Sequence, residues 1–121
     1  NVRLFSNLLN NIKNKKTINI KGDNGIIINP VDVETAAEAV VQSLSISSNQ
    51  IINIAGSQNY NLKELIITMG SELNITPNIK RIDLVGNEKT QLIGDVKKMK
   101  KFFNINPLDF KKCLINYIRM S

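Results

Sequence analysis

Residues 50–84 constrain the fold more than any other stretch of the chain. Gln50-Ile51-Ile52-Asn53-Ile54 is a short, β-branched apolar run and predicts a strand. Ala55-Gly56-Ser57-Gln58-Asn59 has turn chemistry. Asn61 followed by Glu64 resembles a capping box, with asparagine in place of serine or threonine. Leu62, Leu65, Ile66, Met69 and Leu73 then recur at helical spacing. Gly70 interrupts that face at a cost of about 1 kcal/mol relative to alanine, which close packing against a strand would explain. Ile79, Ile82 and Leu84 predict a further strand over 78–84. Strand, helix and strand in this order form a βαβ unit over 50–84, expected to close as a right-handed parallel crossover.

The rest of the chain fits an α/β fold. Val2, Phe5, Leu8, Leu9 and Ile12 predict an amphipathic helix over about the first 14 residues, ending in the cations of Asn14-Lys15-Lys16. Thr17-Ile18-Asn19-Ile20 and Gly25-Ile26-Ile27-Ile28-Asn29 predict a two-stranded piece over 17–29, joined by turn residues Lys21 to Asn24. Asp32 is placed to cap a helix whose buried stripe is Val33, Ala36, Ala37, Val40, Val41 and Leu44. Residues 85–94 read as a loop. Asp95 precedes a helix carrying Val96, Met99, Phe102 and Phe103, and Asn106-Pro107 is expected to start the last helix. The expected architecture is a small mixed-sheet lobe with a βαβ unit and several helices, one domain spanning 1–121. At 121 residues the chain holds one modest core.

Composition excludes several chemistries. With no histidine and one cysteine, Cys113, the chain cannot hold a Ser-His-Asp triad, a Cys-His pair, a zinc site built on His or several Cys, or an intramolecular disulfide. No metal site is expected. No apolar run approaches the roughly 20 residues of a membrane span, and the N-terminus has no signal-peptide layout. A cytoplasmic location is expected, with the chain beginning inside a longer protein. The net charge of +6 permits attraction to phosphates.

Lys97, Lys98, Lys100, Lys101, Lys111 and Lys112 crowd the last two helices. Met99, Phe102 and Phe103 are committed to the core, leaving no aromatic platform for bases. The lysines therefore read as a solvated face rather than a nucleic-acid surface. Tyr60 and Lys63 are three apart, the wrong spacing for a helical tyrosine–lysine acid–base pair, so Tyr60 reads as a packing residue. No glycine-rich strand-to-helix turn exists to receive a dinucleotide pyrophosphate. Accordingly no catalytic and no cofactor-binding residue is assigned.

Three motifs in register resemble the second half of extended short-chain dehydrogenases/reductases, the NAD-dependent epimerase/dehydratase family. The first is Ile18-Asn19-Ile20-Lys21-Gly22-Asp23 leading to Ile28-Asn29-Pro30-Val31-Asp32-Val33-Glu34-Thr35-Ala36. The second is Ile52-Asn53-Ile54-Ala55-Gly56 with Tyr60-Asn61-Leu62-Lys63-Glu64-Leu65, and the third is Asp95, Lys98, Met99 and Phe103 followed by Pro107. The resemblance implies a substrate-binding part of an NAD(P)-dependent nucleotide-sugar epimerase, dehydratase or reductase, not catalytic by itself. NAD or NADP and an N-terminal Rossmann half would belong to the full-length enzyme. The sequence departs from the family where an aromatic residue often precedes the glycine-aspartate turn (here Lys21) and where an arginine-aspartate pair opens the next strand (near Gly25 and Ile26). In that register Asn1, Val2, Lys21 and Arg81 are the substrate-binding candidates, expected on one side of the lobe. Two alternatives stand beside this reading: a non-catalytic module binding a small anion or a protein, and a small basic nucleic-acid-binding domain.

Overall fold

The computed structural model describes residues 2–120, with the side chains of Val2 and Arg3 outside the description. The chain runs α1 (Val2–Lys13), β1 (Thr17–Lys21), β2 (Ile27–Ile28), α2 (Val33–Ser43), β3 (Tyr60–Asn61), α3 (Leu62–Leu73), β4 (Asn78–Ile82), β5 (Gln91–Leu92), α4 (Lys97–Phe102) and α5 (Phe110–Met120). The class is α/β with mixed pairing, as the sequence predicts.

The pairing differs from the expectation in two respects. β1 and β2 do not pair with each other. β1 lies parallel to β4, with Thr17 opposite Asn78 and Lys21 opposite Ile82. β2 is the middle of a second sheet, antiparallel to β3 and parallel to β5. The βαβ unit predicted over 50–84 is not formed, because residues 50–55 are not a strand and the parallel partner of β4 is β1. A strand exists only where a neighbour completes its ladder, and among the described residues none lies beside 50–55. Conversely, β5 interrupts the stretch read as a loop.

α3 organises the main core. Leu65, Ile66 and Met69 are fully buried on it, against Leu8, Leu9 and Ile12 of α1, Ile18 and Ile20 of β1, and Leu114 and Ile118 of α5. The capping box is present in both directions: Asn61 Oδ1 accepts from the Glu64 amide at 2.8 Å, and Glu64 Oε1 accepts from the Asn61 amide at 2.8 Å. Gly70 is required by close approach, since a Cβ there would lie 2.6 Å from the Ile75 carbonyl oxygen and 2.5 Å from Pro77 Cγ. The packing partner is the connection entering β4 rather than a strand.

A second cluster joins Ala39 of α2 to Met99 and Phe103, with Ile52, Ile54 and Ile105 packed around it. Here the stripe expectation for α2 is overturned. Thr35 and Ala39 are the buried positions of the helix, while Val33, Ala37, Val40, Val41 and the capping residue Leu44 are exposed and Ala36 is only partly covered. The last helix is also shorter than Asn106-Pro107 implies. It starts at Phe110, where Asp109 Oδ1 accepts the Lys112 amide at 3.1 Å.

Candidate functional site

Lys21 ends β1 and Arg81 sits in β4, one register step apart on neighbouring parallel strands. Both side chains are about half exposed. Gly22, with φ +72°, begins the turn that leaves β1, and its amide donates to the Ile82 carbonyl at 2.8 Å. This bond carries the turn across the end of β4 and presents Asp23. Arg81 Nε donates to Asp23 Oδ1 at 2.6 Å, and its Nη1 donates to Asp83. The two aspartates hold the guanidinium pKa above its ordinary value.

Lys21 Nζ pairs with Glu88. Glu88 also accepts the Val85 amide at 3.0 Å through Oε1, so one carboxylate closes the loop after β4 and anchors it to β1. The Lys21 bond, followed by the Val85 bond, keeps the Glu88 pKa below its usual value. The cluster sets three carboxylates against two cations. A phosphate gains a site here only when the Glu88 loop gives way. These pairs are solvated, and exposed ion pairs exchange readily and are screened by salt. Asn1 lies outside the described residues. Val2 opens α1, its side chain likewise outside the description.

The sequence reading gave no role to a buried polar seam. Asn29, Asp32 and Thr35 are the buried polar residues, within the segment that carries the family resemblance. Asn29 grips the other end of the molecule: Nδ2 donates to the Gly94 carbonyl at 2.9 Å and Oδ1 accepts the Gly94 amide at 2.8 Å. Nδ2 also reaches the Gly56 carbonyl at 3.4 Å. Gly56 is forced, because a Cβ would stand 2.0 Å from the Pro30 carbonyl oxygen. Asp32 caps α2, accepting the Thr35 amide at 2.9 Å and the Thr35 hydroxyl. The Thr35 hydroxyl oxygen in turn accepts the Leu108 amide at 3.3 Å. A buried asparagine between two apolar runs is a signal, but its partners are remote in sequence.

Tyr60 is buried, its ring 6.1 Å from that of Phe110 and its hydroxyl donating to Gln58 Oε1 at 2.6 Å. Burial, aided by Asp109 and Glu64, raises its pKa, the opposite of what an acid–base tyrosine needs. Among the described residues no group of three or more acidic or cysteine side chains is placed to hold a metal ion. No helix among them is long and apolar enough to cross a membrane.

The fold is that of the C-terminal part of extended short-chain dehydrogenases/reductases, the NAD-dependent epimerases and dehydratases. Among solved structures the chain is similar to the UDP-glucose 4-epimerase of Thermotoga maritima with UDP-glucose, at TM-score 0.78 and 15% identity over 97% of this chain and 39% of that one. It is similar to the UDP-glucuronic acid 4-epimerase of Bacillus cereus in complex with UDP-glucuronic acid and NAD, at TM-score 0.75 and 19% identity, covering 96% of this chain and 39% of that one. A third is the dTDP-glucose 4,6-dehydratase of Bacillus anthracis in complex with NAD, at TM-score 0.76 and 18% identity over 96% and 37%. The chain thus spans well under half the length of these proteins. No protein-family model matches the chain, and no curated protein sequence does.

Proposed function

We propose that this chain is the substrate-binding part of an NAD(P)-dependent nucleotide-sugar epimerase, dehydratase or reductase. It is not catalytic alone. The NAD(P) site and the reacting groups belong to an N-terminal Rossmann portion outside this chain, and a cytoplasmic location is part of the same reading. The observation that carries the proposal is the fold likeness over 96–97% of the chain to enzymes solved with UDP-sugars and NAD. Within the lobe, Lys21 and Arg81 are the proposed phosphate contacts, with Asn1 and Val2 beside them. Both cations are exposed and held only by exchangeable carboxylates. A diphosphate displaces Glu88 from Lys21 and shares Arg81 with Asp23 and Asp83. The guanidinium fork suits that sharing better than the ammonium does.

The test is calorimetry on the complete enzyme. UDP-sugar binding is expected, and Lys21→Ala and Arg81→Ala should each weaken it roughly ten-fold with NAD binding unchanged. Unchanged sugar-nucleotide affinity in both variants rejects the two residues as phosphate contacts. A complete protein that takes up no sugar nucleotide rejects the function itself.

A further inference from the structure

Two independent features of the lobe lack a partner. The first is residues 50–55. Ile52 and Ile54 turn toward the cluster of Ala39, Met99 and Phe103, while Ile51 and Asn53 turn to solvent, the period-two alternation of a strand. Yet among the described residues no backbone amide of 50–55 donates a hydrogen bond, and the one backbone acceptor in use is the Ile51 carbonyl, taken by Lys98 Nζ at 3.2 Å. The second is α2. Val33, Ala37, Val40, Val41 and Leu44 recur at helical spacing, as a buried stripe does, but the stripe faces outward. Val33 is 82% exposed, Leu44 84% and Ile51 86%. Between the two features runs an open groove of about 270 Å³ lined by Ala39, Val40, Ile46, Ile52, Ile54 and Phe103.

An apolar helical stripe beside an unpaired strand is the form of an interface rather than of a solvated surface. We propose that residues 50–55 are the edge strand of a sheet whose remaining strands lie in the cofactor-binding portion of the whole enzyme, and that the outer stripe of α2 packs on that same portion. This rests on the functional reading above, in which such a portion exists. The relatives in structure are long enough to supply it, since this chain covers only 37–41% of them. Their added length favours this occupant over a second copy of the lobe. The docking face is then α2 with 50–55, and Lys21 and Arg81 are separate from it.

Hydrogen exchange on the complete protein tests the pairing. Alternate amides of 50–55 should exchange at least about 100-fold more slowly than unstructured chain. Val41→Asp combined with Leu44→Asp, at positions exposed in the lobe, should abolish that protection while the amides of Leu65 and Ile66 keep theirs. Met120→Asp, an equally exposed apolar residue on α5, should leave 50–55 protected. Fast exchange at 50–55 in the unsubstituted protein overturns the proposal, as does a stripe variant that behaves like Met120→Asp. Protection lost on dilution to monomers assigns the face to a second copy and overturns it too. Sugar-nucleotide binding with 50–55 unprotected sinks the docking face alone. Protection without sugar-nucleotide binding sinks the function alone.

Discussion

At Asp32 one carboxylate caps α2, accepts the Thr35 hydroxyl and so steadies the oxygen that receives the Leu108 amide. Burial pushes its pKa up. The hydrogen bonds from the Thr35 hydroxyl and amide, with those of the Asp32 and Leu108 backbone, outweigh burial and leave the carboxyl below its usual 3.8. A carboxyl that is more acidic folded than unfolded adds stability above the unfolded pKa. That increment is lost as pH falls through the folded one. Urea unfolding followed from pH 7 to pH 2 should therefore show a fall beginning near the ordinary carboxylate range. Asp32→Asn should flatten this acid limb. It should stay within about 1 kcal/mol of the parent at pH 7, because asparagine caps nearly as well as aspartate. Legibility at this scale follows sequence distance. The Asp32 cap and the Asn61–Glu64 box were readable because each closes over three residues. The exposed cations Lys21 and Arg81 were readable as charges, but their carboxylate partners lie 67 and 58 residues away and left no local mark.

Among elements, α1 and α3 were readable because helical periodicity is a local property, and the stripe of α2 was readable for the same reason. Its direction was not, because periodicity gives the width of an apolar face and not what covers it. β3 and β5 are two residues each, too short to make a pattern. They exist because β2 between them is fixed from outside, and Asn29, directly after β2, does the fixing. Replacing Asn29 with alanine removes both bonds to Gly94 and the longer one to Gly56, leaving buried backbone groups unsatisfied. The expected loss is about 2 kcal/mol in urea unfolding, with faster exchange of the Gly94 amide while the Met69 amide is unaffected. A loss of under a few tenths, or equal acceleration at both amides, would contradict this account. The late start of α5 has a similar cause: Asp109 supplies a side-chain cap three residues after the proline pair that marked the expected start.

For the molecule as a whole, the three-motif register pointed to the fold more reliably than any single element did, since it survived a misplaced strand and an inverted helix face. The same register says where the cofactor is not bound. This chain alone should show no NAD or NADP binding at micromolar concentration in a calorimetric titration, because it has no glycine-rich strand-to-helix turn to receive a pyrophosphate. Micromolar affinity would overturn that reading. The parallel pairing of β1 with β4 has a consequence for how the chain is made. Thr17 and Asn78 are 61 residues apart. At 5–20 residues per second, β1 waits roughly 3–12 s for its partner to emerge from the ribosome. During that interval only α1 is already synthesised and available to shield Ile18 and Ile20. Early protection of the nascent chain thus falls to a helix whose Leu8, Leu9 and Ile12 later fill the finished core.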